Sequence, residues 1–127
     1  MVWLIAVVLT GCSDTVAISP EGTFVVAVGS EQYHVRIDNP LMATKARRMM
    51  TGAEPHQIVA GEVARGNGGF NTGYSWHIKP GTVSFADQAI EVGAGRPSDI
   101  AGYIAVWVDY VKRYCPWGGR FVSDVGR

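Results

Sequence analysis

The sequence holds only two cysteines, Cys12 and Cys115, and neither a CxxC nor an HExxH motif. That set cannot build a disulfide-rich scaffold or a zinc site of familiar spacing. Charge of one sign is not in excess either, because eleven Lys and Arg balance eleven Asp and Glu. The balance points to neither nucleic acid nor an anionic membrane as a partner. No apolar run reaches the roughly 20 residues of a membrane-spanning helix. Internal repeats are lacking, and so is any sign of a second domain.

What is present begins with a leader. Met1 to Leu9 (MVWLIAVVL) is apolar, uncharged and about as long as a secretory h-region. It ends in Leu9-Thr10-Gly11-Cys12. A branched residue, two small residues and a cysteine form the cleavage box of bacterial lipoproteins. The small residues let a peptidase close around the backbone, and the Cys12 sulfur would carry the diacylglyceryl group. Several acyl chains hold a protein stably where one is marginal. No Lys or Arg precedes the run, so the customary basic n-region is lacking. A start assigned too late, or charge from the amino terminus alone, accounts for that. The competing reading is an apolar strand that ends in Gly-Cys. The expectation is a signal peptide over 1–11, a lipidated tether over 12–22 and one domain over 23–127. The protein is then exported to the bacterial cell envelope and anchored at Cys12, and touches membrane only through that anchor. Cys115 is expected as a buried small apolar residue. A Cys12–Cys115 disulfide is the rival that would displace the anchor.

The domain reads as alternating strands and helices. Thr23 to Val28 is an apolar strand, and Gln32 to Ile37 alternates, with Tyr33, Val35 and Ile37 inward. A turn at Gly29-Ser30-Glu31 makes them a hairpin. Asp38-Asn39-Pro40 starts a helix to about Met50, and Gly52 ends it. Strands are expected at His56 to Val63, Tyr74 to Ile78, Val83 to Phe85 and Gln88 to Val92. A last helix, capped by Ser98, carries Ile100, Tyr103, Ile104, Trp107, Val108, Val111 and Tyr114 at helical spacing until Pro116 stops it. Phe121 to Val125 is a closing strand. The pattern predicts an α+β fold: a small mixed, mostly antiparallel sheet with two helices packed on one face.

Candidate chemistry is sparse. His77 and Glu91 lie on different expected strands, and Asp87 precedes the second. A His oriented by a carboxylate is the unit of general acid–base catalysis. Ser75 shares the face of His77 but lacks a nucleophile elbow. A structural hydrogen bond or ion pair on a sheet face is the preferred reading of these groups. His34, His56 and His77, with Asp38 or Glu91, have no ligand spacing on one element, so neither metal nor cofactor is expected. The Gly-rich loop Arg65 to Asn71 lacks the Lys-Ser/Thr of a phosphate cradle and reads as a hairpin turn. Phe70, Asn71 and Tyr74 beside it, with Trp117, are candidates for a binding lip. The preferred function is a non-catalytic envelope module that binds a protein, glycan or small ligand. The alternative is a small hydrolase-like envelope enzyme using His77 with Glu91 or Asp87.

The second half carries an ordered set of motifs. Trp76-His-Ile-Lys79 leads to Pro80-Gly-Thr-Val-Ser-Phe-Ala-Asp87, then to Ala89-Ile-Glu-Val92. Arg96-Pro-Ser98 follows, and Tyr114-Cys-Pro-Trp117 closes the set. With Asp38-Asn39-Pro40 and Gly61, it resembles the N-terminal domain of the seventy-four-kilodalton calmodulin-binding protein family over about residues 23–125. The resemblance implies a secreted or envelope α+β domain with no established reaction. Calmodulin itself is not expected as a partner. Its targets are basic amphipathic helices. The one candidate, Leu41 to Met50 with Lys45, Arg47 and Arg48, is short, and a bacterial envelope offers no calmodulin. The resemblance also implies, in many relatives, a cysteine after the Ala-Ile-Glu-Val strand that is suited to pair with the Cys-Pro-Trp cysteine. Here that position is Gly93. A native disulfide contributes about 2–4 kcal/mol. Packing of Trp107 and Trp117 is expected to offset its loss.

Overall fold

The computed structural model describes residues 21–87 and 93–126. The leader with Cys12, and the expected strand at 88–92 with Glu91, lie outside the described residues.

β1 (Gly22–Val28) and β2 (Glu31–Ile37) form an antiparallel hairpin in which Val28 faces Glu31. The chain turns through Gly29, whose φ of 62° is the left-handed value such tight turns demand. β7 (Arg120–Gly126) pairs with the other edge of β1 and gives the order β2-β1-β7. Central β1 buries both faces, whereas edge strand β2 buries only Tyr33, Val35 and Ile37. The alternation of β2 therefore aims His34 and Arg36 outward.

α1 (Pro40–Thr51) starts where the sequence signals it. Asn39 Oδ1 accepts from the amides of Leu41 at 2.9 Å and Met42 at 3.2 Å. Pro40 takes the first helical position, and Gly52 at φ 85° terminates the helix. Ala43, Ala46 and Met49 are buried, and the helix packs on β7 and β2. Small residues on that face let the helix lie close to the sheet.

β3 (Ile58–Arg65) is the hub of a second sheet. It pairs antiparallel with β4 (Trp76–Ile78) at its C-terminal end and with β5 (Ser84–Ala86) at its N-terminal end. β6 (Arg113–Tyr114) pairs at the middle. β3 begins two residues later than the sequence pattern suggests. His56 instead donates from Nε2 to the Gly119 carbonyl at 3.0 Å, ahead of the ladder. A short 3₁₀ turn, Pro80–Thr82, separates β4 from β5. Thr82 Oγ1 repairs the interrupted ladder, accepting from Glu62 N at 2.9 Å and donating to Lys79 O at 2.7 Å. Gly61 is obligatory beside it, since a Cβ there would stand 2.3 Å from Ile78 Cγ2. The α+β class and the antiparallel pairing stand. The strands, however, divide between two sheets, because β3 recruits partners of its own instead of joining the hairpin.

The C-terminal helix is broken. α2 (Pro97–Gly102) and α3 (Ile104–Val106) are separated at Tyr103, whose φ of −134° leaves helical space. A π-helical turn, Trp107–Val111, follows, and Lys112 then turns at φ 66° into β6. The N-cap position is Arg96 rather than Ser98. Asp99 closes the box by accepting from Arg96 N at 2.9 Å. Ser98 is drawn away to Glu31, donating its amide and its hydroxyl at 2.8 Å each. Tyr114 explains the break. It sits in a strand opposite Gly61, which a helix running on to Pro116 would prevent.

The core lies where the two sheets meet. Tyr33 packs on Trp76 at 5.2 Å and on Tyr114 at 5.5 Å, and Trp76 and Trp107 each lie 5.6 Å from Tyr114. Trp76 Nε1 donates to Pro97 O at 3.1 Å, and the Tyr114 hydroxyl donates to Gly95 O at 2.7 Å. Buried aromatics of this kind need such polar outlets. Burial pushes the hydroxyls of Tyr33 and Tyr114 far above the ordinary phenol range, so both stay neutral.

Gly93 does stand beside Cys115, which donates its amide to the Gly93 carbonyl at 2.8 Å. A Cβ on Gly93 would meet the Arg113 carbonyl oxygen at 2.8 Å, so a cysteine there requires the backbone to shift. Cys115 is buried, as expected. Of the two tryptophans, Trp107 packs in the core, but Trp117 is 63% exposed and adds no core packing.

Candidate functional site

The outward side of β2 forms one wall of an open cleft of about 450 Å³. Thr23, His34, Arg36 and Val125 line one side, and Gly68, Gly69 and Phe70 line the other. Alternation on β2 supplies His34 and Arg36, and the Gly-rich segment between β3 and β4 supplies the rest.

Arg36 is held rigidly. Nε donates to Asp38 at 2.9 Å, Nη2 to Glu21 at 3.2 Å and Nη1 to Thr23 Oγ1 at 3.4 Å. A guanidinium fixed on several sides presents its fork without further loss of side-chain entropy. Two carboxylates flank it, so the wall offers mixed charge and not a simple anion site.

The Gly-rich loop is folded by its own side chains. Asn67 Oδ1 accepts from Gly69 N at 2.7 Å, and the Asn67 carbonyl accepts from Asn71 N at 3.0 Å. Gly68, at φ 68°, lies so close to His77 that a Cβ would meet the ring at 2.7 Å. Phe70 stands edge-on to His77 with centroids 5.5 Å apart. His77 Nδ1 donates to the Gly66 carbonyl at 2.8 Å. His77 thus props the loop from behind.

Asn71 is fully buried under that loop. Its Oδ1 accepts from His34 N at 2.8 Å, and its Nδ2 donates to Trp76 O at 2.8 Å. One side chain therefore ties the loop to β2 and to β4, that is, to both sheets. Buried polar groups satisfied in this way specify one arrangement of a loop. Asn71 is placed to shape the cleft, not to touch a ligand.

The other sequence candidates are dispersed. His77 faces Ala64 on β3, whereas Asp87 follows Ala86, which faces Ile58. Roughly six residues of strand separate those positions, about 20 Å. Asp87 instead accepts from Gln57 Nε2 at 2.8 Å. Tyr74 is half-buried and packs on Trp76 at 5.5 Å, and burial followed by the charge of Glu31 pushes its hydroxyl upward. Trp117 does not line the cleft. Phe70 is the sequence candidate that does. The outward alternation of His34 and Arg36 was visible in the chain, but nothing in the chain linked it to the glycine loop. Among the described residues, no group of three or more His, Cys, Asp and Glu could hold a metal ion.

A family model for the N-terminal domain of the seventy-four-kilodalton binding protein matches residues 20–127. It is the family that the ordered motifs of the second half resemble. No curated protein and no solved structure matches the chain.

Proposed function

The chain belongs to the family of the seventy-four-kilodalton binding protein N-terminal domain, and from that premise we propose that it is a non-catalytic binding domain of the cell envelope. Its ligand occupies the cleft between β2 and the glycine loop. The observation that carries this reading is the construction of the cleft. A clamped Arg36, an outward His34 and the half-buried Phe70 converge on one concavity, and buried Asn71 holds its two walls together. Concave sites with a few fixed polar groups and an aromatic contact are the usual form of a small-ligand pocket. His77, engaged by Gly66 and remote from Asp87, favours support of the loop over general-base work. The leader ending at Cys12 supports anchoring of the domain by lipid at the envelope.

The test is retention from envelope extract by the immobilised protein. Wild type is expected to hold a species that Phe70→Ala and His34→Ala lose by about tenfold, the equivalent of one good contact. Identical eluates from all three would remove the cleft as a binding site. Mass spectrometry of protein extracted from membranes reads the state of Cys12 independently. An unmodified Cys12 would end the anchor but leave the cleft standing.

A further inference from the structure

Tyr103, Val106 and Tyr110 are 68%, 46% and 80% exposed. They lie three and four residues apart, so they share one side of the broken helix. A contiguous exposed apolar patch marks an interaction site. The stripe runs directly into a basic cluster. Lys112 closes the π-helical turn, and Arg113 follows it in β6, opposite Glu62. Lys79 hydrogen-bonds Glu62, and Arg65 pairs with Asp109 at 3.2 Å. The Glu62 carboxyl is held below its usual value, first by the Lys79 hydrogen bond and charge and then by Lys112 and Arg113. Four cations thus gather around two carboxylates, in a chain whose total charge is balanced. Lys112, with φ 66° and ψ −38°, adopts a conformation that residues with side chains rarely take. Such strain gathers at functional sites.

We propose that this face docks on an anionic lipid surface. Tyr103, Val106 and Tyr110 enter the headgroup layer, while Lys112, Arg113, Arg65 and Lys79 meet the charged heads. Shape decides between a bilayer and an acidic polypeptide. A helical peptide needs a groove, and an extended one needs an unpaired strand edge. The stripe is the convex side of a helix, and the cleft is lined by other residues. A bilayer needs no groove. Tyrosine suits it, with an apolar ring and a polar tip that sit at headgroup depth. Each cation near such a surface strengthens binding about fivefold. The proposal depends neither on the cleft nor on acylation of Cys12.

The test is flotation of the full, unacylated chain with phosphatidylcholine vesicles, with and without about one-third phosphatidylserine. The apolar leader binds both kinds alike, so the difference between them reports the basic face. Wild type is expected to prefer the anionic vesicles, and the preference should fall as salt rises. Lys112→Gln should lower that preference about fivefold, and Lys112→Arg should keep it. Tyr103→Ser with Tyr110→Ser should weaken binding without changing the melting temperature, because both side chains are exposed. Equal flotation with both vesicles would overturn the proposal. So would binding to soluble polyglutamate with none to vesicles, which would make the partner an acidic polypeptide.

Discussion

The two ends of the domain rest on different kinds of support. Residues 22–52 fold into a hairpin and a helix whose boundaries are set by neighbouring residues. Gly29 turns the hairpin, Asn39 and Pro40 open α1, and Gly52 closes it. Residues 96–115 also start with a local box, Arg96 with Asp99, yet their path is set by distant groups. Glu31 takes Ser98, Pro97 O takes the Trp76 indole, and Gly61 takes Tyr114 into a strand. The helix between them bends to meet all three. A segment with strong periodicity keeps its regular form only where its ends are not claimed elsewhere.

That difference is open to test, and the largest effect belongs to the shared core. Trp76→Ala should destabilise the domain by about 3–5 kcal/mol, the range for a fully buried large aromatic. Hydrogen exchange should then rise in 96–115 well before it rises in 22–52. Equal loss in both regions would mean that they share one kind of support. Asn39→Ala probes the other end. Removing that cap should cost about 1 kcal/mol in denaturant unfolding and fray α1 without touching 96–115. No change in stability would show that packing, not the cap, sets the start of α1.

The smallest effect concerns pH. The Arg96 amide bond, followed by its guanidinium, holds the Asp99 carboxyl below its usual 3.8. A group whose folded value is depressed adds stability above its unfolded value and loses it as pH falls through the folded one. The Asp99 side chain is 40% exposed, so solvent screening keeps the contribution small. Asp99→Asn should flatten the acid side of the stability profile slightly and loosen the start of α2. An acid limb as steep as that of wild type would assign the acid loss to other carboxylates.

Legibility in the chain follows the same division. The hairpin, α1 and the inward face of β2 could be read because period, cap and turn residue agree over a few positions. The last helix misled for a physical reason. Its spacing of Ile100, Trp107 and Tyr114 is helical, but the distant pairing of Tyr114 with Gly61 outweighs it. Within the candidate site, Phe70 was legible as an aromatic beside glycines. Asn71 was legible only as a polar neighbour, and its burial reverses the role expected of it. His34, Arg36 and Val125 were not linked to the loop, since they come from strands far from it in the chain. Balanced composition likewise concealed the gathering of Lys79, Lys112 and Arg113 around Glu62.

The sequence by itself determined the α+β class, the hairpin, the helix after it and the family to which the domain belongs. These depend on local torsional preference and on the order of motifs, which a linear chain carries in full. The tertiary structure alone decided that β3 takes three partners, that the last helix breaks and that Asn71 joins two sheets around a cleft. Each of these is a competition between distant groups for the same backbone or the same space. Its outcome depends on distances that exist only once the chain has folded.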